Sequence, residues 1–526
     1  MLTRDPTPAL ADLDRLVFEI VVPPHHYLRQ VLAHIDFERF RPRLVEAYSL
    51  GMGRPAIDPV RMLKILFLRF HYKLSDRLVM ERTKTDMAFR WFLEFPLAFA
   101  VPNHTGGTYF RKRIGTERFA QIFQDLVTQA REAGLVKDRL RLKDATHMLA
   151  DVADIRPLQL AAQMRERLLQ AAQPLLADWV AEQRGHIETL RQTTAEFDDD
   201  ERLTARVEHL RGMATQLRER VATLPTTPET EKAHARLQLA LKLVDKLLAD
   251  REPGAQDRLI NDLDADARVG MHQGYFLGYL FDIAIDADSE LITAVNVLPG
   301  NGAEAADAIT LIEQEETAQG NDVEGLSIDG AGYNGPVLRE LTDPEGLNLD
   351  VTVPPPTPAP RTTFGPERFP LTIIDTQHGE VTCPAGQTTR QRCHTRQGTG
   401  YRYQFKTAQC AGCPMRNECM TNPASKRGRV VIKNDYEPEY KKVHEKVRTP
   451  QYQETRRTHP KIERKLSEVV RHHQGRRAAY RGLPKVLVHA VMLALVVNVK
   501  RMVKLLGQKA ATAIAALTVR AAPEMA

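Results

Sequence analysis

Two short apolar stretches, RLRLKDATHMLADVA and VEGLSIDGAGYNG, each read as an alternating strand closed by a lone carboxylate. The acids are Asp144 and Asp329. A long helical run over about 155–256, rich in Leu, Ala, Arg, Glu and Gln, separates them. Its heptads are broken, so a free-standing coiled coil is disfavoured and a helical hairpin or three-helix insertion is expected. More strand character follows. GYFLGYLFDIAIDADSELITAVNVLPG reads as a hairpin over 276–297 that turns at Asp286–Ser289. GAEAADAITLIEQEE reads as a helix, and LNLDVTVPPP as a strand stopped by prolines. Strands that alternate with helices in this order predict an α/β fold, a mixed sheet with helices on both faces, interrupted twice.

The remainder of the chain flanks that sheet. Residues 1–138 are expected to be all-helical. IDPVRMLKILFLRFHYKL spaces its apolar residues by three and four after Asp58-Pro59, an N-cap followed by proline at the first helical position. Ser75 is the corresponding cap of the next helix. The second part, 139–506, carries the helical insertion, a proline- and threonine-rich linker over 354–369, and a β-rich, cysteine-bearing insertion over about 370–434. A third part, 507–526, is an alanine-rich tail. At 526 residues more than one core is expected.

Net charge is only +6, which decides little. Its distribution is more informative: Lys426 to Gly482 holds 17 Lys/Arg against 7 Asp/Glu, a surface suited to a polyanion. The first residues contain no apolar run of signal-peptide length. VLVHAVMLALVV (486–497) is about half the length that spans a bilayer, and Lys485, Lys500 and Arg501 flank it. A buried helix, no membrane and a cytoplasmic protein are expected.

The acids suggest the chemistry. Hard divalent cations need several carboxylate oxygens around sites roughly 4 Å apart. Asp144 and Asp329 offer two, and Glu463 in the basic helix THPKIERKLSEVV offers a third, with Glu468 as its rival. Each has an ordinary alternative, since strand-end acids cap turns and helical glutamates pair with surface cations. His147 could touch a phosphate. The five cysteines all lie between 383 and 419, which favours a metal cluster over disulfides. Cys410-Ala-Gly-Cys413 has zinc-knuckle spacing, and Cys383 and Cys419 complete a tetrahedral set around one structural Zn2+. Cys393 is surplus, and His394 could substitute. Two basic patches are candidates for DNA: Arg111, Lys112 and Arg113, and then Arg464, Lys465, Arg476, Arg477 and Arg481. Such patches read phosphate far more surely than base sequence.

Several segments together resemble bacterial insertion-sequence transposases of the DDE class. GRPAIDPVRMLKILFL, DMAFRWFLEF and VPNHTGGTYFRKRIG resemble their N-terminal region. DATHMLADVA, DADARVG, the 275–301 hairpin and IDGAGYNG resemble their catalytic core. CPAG with CAGCPMRNEC resembles the cysteine cluster of one branch, and HPKIERKLSEVVRHHQGRRAAYRGLPKV the segment bearing the catalytic glutamate. The resemblance implies an RNase H-like fold, with Asp144, Asp329 and Glu463 as the metal-binding triad, and it selects Glu463 over Glu468. His459 stands where such enzymes usually carry arginine, and Asn103 where aspartate is common. The implied activity is Mg2+- or Mn2+-dependent cleavage at transposon ends, then strand transfer into target DNA, by a homodimer on double-stranded DNA. Two alternatives are a nuclease of the same fold that does not join strands, and a zinc-stabilised DNA-binding descendant without catalysis.

Overall fold

The computed structural model describes residues 5–521 apart from 256, 273, 358–362, 376–377 and 396–397. It divides into two compact units, one of Met1–Lys137, Ala145–Glu304 and Glu463–Ala526, the other of Asp138–Asp144 and Ala305–Ile462.

The first unit opens with helices Asp12–Val21, Tyr27–His34, Pro59–His71, Asp76–Thr85, Met87–Leu93 and Thr105–Glu132. Their starts follow the sequence signals. Asp58 Oδ1 accepts from the backbone N–H of Val60 and Arg61 at 2.8 and 3.3 Å, and Ser75 Oγ accepts from Leu78 N–H at 3.1 Å. The rings of Phe67 and Phe92 pack near-perpendicular to that of Phe37, at 5.9 and 5.6 Å between centroids. The Thr105–Glu132 helix breaks its regular geometry at Gly115, whose φ of 75° suits a residue without Cβ.

The helical run in the middle of the chain forms four helices, Pro157–Ala172, Ala177–Thr193, Asp199–Ala222 and Glu231–Ala249. They share a core that includes Leu168, Leu210, Leu217, Val244 and Leu247. Two or three helices were expected. The extra break falls at Gln173–Leu176, where Pro174 cannot continue a helix. The turn at Asp198 does occur: its side chain accepts from Glu201 N–H at 2.8 Å, and Glu201 returns the bond to Asp198 N–H.

The strands of the main sheet are β1 (Arg141–Leu149), β2 (Arg268–Met271), β3 (Tyr275–Asp286), β4 (Ile292–Pro299), β5 (Gly325–Ser327) and β6 (Asp350–Thr352). In the first unit β3 pairs antiparallel with β2 and, further along, with β4. The expected hairpin turn is present, with Asp286 Oδ2 accepting from Ser289 N–H and Oγ, both at 2.7 Å. In the second unit the first residues of β1 run parallel to β5, Arg141 opposite Leu326 and Leu142 opposite Ser327, and β5 runs parallel to β6. The hydrogen-bonded order is β2-β3-β1-β5-β6, with β4 on β3. One expectation needs correcting. Asp144 does not close β1; the strand runs on to Leu149. Its second half finds partners of its own: Leu149 N–H donates to Arg476 O and Leu149 O accepts from Ala478 N–H, both at 2.8 Å, and Ala150 N–H donates to Leu277 O.

The apolar run at 486–497 lies in helix Leu483–Ala521 and is buried. Asn498 reads the end of β4 with its amide, accepting from Ile292 N–H at 2.8 Å and donating to Ile292 O at 2.7 Å. Among the described residues, Leu483–Thr512 is long and apolar enough to cross a membrane, but 83% of its most apolar window is packed inside the protein.

In the second unit, helix Glu304–Gln319 is pinned to β1 by a fully buried ion pair, Arg141 Nη2 to Glu315 Oε1 at 2.6 Å. The cysteine-bearing segment forms two small sheets. One joins β7 (Leu371–Asp375), β8 (His378–Thr382) and β9 (Thr388–Thr389); the other joins β10 (Arg392–His394), β11 (Gly400–Gln404) and β12 (Val430–Asn434). Phe369, Val381, Tyr403, Phe405 and Val431 give this segment a core of its own.

Candidate active site

Asp144 lies within β1 and Asp329 just past β5, on parallel neighbouring strands. Ser327 and Ile328 are fully buried, so the chain emerges from the interior only at Asp329. There it turns into a short 3-10 helix, Gly330–Gly332, with Asp329 Oδ1 accepting from Ala331 N–H at 3.1 Å. Asp144 and Asp329 are both half-buried. A carboxylate oxygen from each, and one from Glu304, all lie within 4.8 Å of one another. Glu304 is the first residue of the helix whose Glu315 is locked to Arg141, and the rest of that helix belongs to the second unit. Sequence reasoning missed Glu304, because an acid in a helix's first turn is ordinary. Three carboxylates at this spacing repel one another, and a divalent cation removes that cost. Oxygen donors alone suit Mg2+ or Mn2+.

Glu463 is exposed and stands outside that group. The approach to it is nevertheless fixed beside Asp329. Arg456 Nη1 donates to Ile328 O at 3.0 Å, and His459 Nδ1 lies 3.0 Å from Ser327 Oγ. His459 is buried, and desolvation, then Arg456, lowers its pKa to about 4, so the ring is neutral. Glu463 follows one helical turn later, in helix Pro460–His472. Its rival Glu468 is committed elsewhere. Burial works against its charge, but Lys465 at 3.0 Å and Lys500 at 3.6 Å hold its carboxyl below the usual range.

The basic candidates separate into two groups. Arg111 is bound through two hydrogen bonds to Asp76 and stacks over the Tyr480 ring at 4.9 Å. Lys465 is buried on Glu468. Arg476 donates to His147 O at 2.7 Å, bracing the second half of β1. Lys112, Arg113, Arg464, Arg477 and Arg481 are exposed. Arg481 also reaches Asp151 O at 2.9 Å, and Arg113 covers the Tyr48 ring at 4.5 Å. His147 is packed against His272 and Phe276, and burial, with Arg476 and His272 adding to it, brings its pKa down to about 4.

Cys383, Cys410, Cys413 and Cys419 all line one small cavity of about 20 Å³, room for an ion and little more. Burial, along with the thiols of Cys410, Cys413 and Cys383, raises the Cys419 pKa, against the pull of Arg429. Arg429 N–H donates to Cys410 Sγ at 3.4 Å. Cys393 is exposed on β10, outside the cavity lining.

Two family models match the chain. Residues 16–113 match the Transposase domain (DUF772), and residues 382–503 match the Transposase DDE domain. No curated protein and no solved structure matches it. The second match takes in the cysteines, Glu463 and the basic helices, while Asp144 and Asp329 lie outside both. A DDE domain defines an enzyme of the polynucleotidyl-transferase type. The two matched domains together support DNA transposase function of the insertion-sequence DDE class.

Proposed function

We propose that Asp144, Asp329 and Glu463 hold the divalent cations of a DNA-cutting and strand-joining centre on an RNase H-like sheet. The observation that carries this reading is the approach of the Asp144 and Asp329 carboxylates from adjacent parallel strands. Glu304 supplies a further oxygen. Bound Mg2+ or Mn2+ contributes charge stabilisation of the attacking and leaving oxygens in an in-line phosphoryl displacement. The protein's own part is positional. The Arg141–Glu315 pair fixes the helix that presents Glu304. His459, kept neutral, holds Ser327 and sets the start of the glutamate helix. Exposed Lys112, Arg113, Arg464, Arg477 and Arg481 bind the DNA backbone, and a homodimer brings two transposon ends together in the cytoplasm. Cys383, Cys410, Cys413 and Cys419 hold one structural Zn2+, which stabilises the segment around it.

The test is a strand-transfer assay with labelled DNA carrying the repeats that flank the gene. Joined products that need Mg2+ or Mn2+ and vanish in Asp144→Asn support the reading. Cleavage without joining in the wild-type protein reduces the activity to that of a nuclease.

A further inference from the structure

The four-helix segment contains a buried cation with no counter-charge. Arg165 sits on helix Pro157–Ala172 and is 7% exposed. Its Nε and Nη1 are buried without a hydrogen-bond partner, and no ion pair to it exists among the described residues. Across from it, helix Asp199–Ala222 contributes two more basic groups. Arg206 donates to Leu158 O at 2.9 Å, which leaves its charge uncompensated, and His209 is half-buried with both ring nitrogens unpartnered. These groups act on one another. Burial, then Arg206, pushes the Arg165 pKa down to about 10. Burial, then Arg165 and His186, lowers that of His209. No acid offsets either one.

A buried, unpaired guanidinium is among the costliest features a fold can carry, and native proteins satisfy nearly all such donors. The neighbouring arginines of this segment follow that rule: Arg167 reaches Asp262, Arg184 reaches Glu166 and Arg218 reaches Asp245. Arg165 and His209 do not, and Arg165 lies near enough to act on the His209 ring. A tetrahedral oxyanion accepts from several directions at once and suits guanidinium forks and an imidazolium.

We infer that Arg165, Arg206 and His209 form a phosphate-binding site in the four-helix segment, separate from the carboxylate centre. Its ligand is a phosphate group, from either a DNA backbone or free phosphate. This goes beyond the proposed catalytic role and does not depend on it.

The experiment uses the full-length protein. Inorganic phosphate is titrated at constant ionic strength, balanced with chloride, and melting temperature is recorded. Duplex DNA affinity is measured against salt in parallel. Wild-type protein should gain melting temperature with phosphate, and Arg165→Met should lose that gain. If Arg165→Met also lowers the log–log salt slope for DNA by about 1, the natural ligand is a backbone phosphate. If the slope is unchanged, the site takes free phosphate. Arg206→Gln, which leaves the core intact, should weaken the phosphate effect in the same way should the Met variant fold poorly. Asp144→Asn should retain the phosphate effect, so failure of the catalytic reading and failure of this one are distinguishable. No phosphate-dependent shift in the wild-type protein, or a shift in both arginine variants as large as that of the wild-type protein, overturns the site.

Discussion

Replacing Asp144 or Asp329 by asparagine keeps the shape and removes the charge. Cleavage should then fall by at least about 100-fold, or about 2.7 kcal/mol in the barrier. DNA affinity should hold or rise, because a negative charge beside phosphate has gone. Asp329→Asn that still cuts at the wild-type rate would remove it from the centre. Glu463 and Glu304 make a sharper pair. Glu463→Gln should abolish cleavage, whereas Glu304→Gln should raise the Mg2+ concentration needed by about tenfold. A Mg2+ titration of both variants checks this, and the reverse pattern exchanges their roles. What the sequence conveyed at this scale was uneven. The two aspartates stood out because each interrupts an apolar alternation. Glu304 did not, because GAEAAD reads as any helix start. The basic residues were legible as charge but not as partners: nothing in YFRKR says that Arg111 turns inward to Asp76 while its neighbours face solvent.

At the scale of elements, local signals worked where the physics is local. Asp58-Pro59 and Ser75 started the helices they were expected to start. The hairpin turned at Asp286–Ser289 because Asp286 binds back to Ser289. The end of β1 was misread because pairing partners far along the chain, at 277 and 476–478, extend it past Asp144. The cysteine segment gives a test at this scale. Its core is small, with Phe369, Val381, Tyr403, Phe405 and Val431 at its centre. A segment of this size needs a staple. Elemental analysis should find about one zinc per chain. Cys413→Ser or a strong chelator should make 363–434 sensitive to protease while the four-helix segment stays resistant. Cys393→Ser should change neither. Unaltered protection after zinc removal would leave the cysteines as ordinary reduced thiols.

For the whole molecule, four histidines, three of them buried and His71 half-buried, share a requirement to be neutral. Burial lowers the pKa of His71, His459 and His473 to about 4, and that of His489 to about 3. Lys500 Nζ donates to His473 Nε2 at 3.0 Å, and Ala479 N–H donates to His489 Nδ1 at 3.2 Å, so both rings must be acceptors at those atoms. The unfolded chain binds these protons near pH 6.5, and the folded chain only near pH 4 or below. A depressed folded-state pKa contributes stability above the unfolded value and loses it as pH falls. Each histidine therefore contributes a slope of about 1.4 kcal/mol per pH unit between those limits. The melting temperature should be nearly flat from pH 8 to 7 and should drop steeply from pH 6.5 to 4.5. His473→Gln keeps an acceptor for Lys500 and removes the titration, so its curve should be shallower over that interval. A wild-type profile without a break near pH 6.5, or a His473→Gln profile that superimposes on it, would show that these rings accept protons in the folded state and that their burial is looser than the packing indicates.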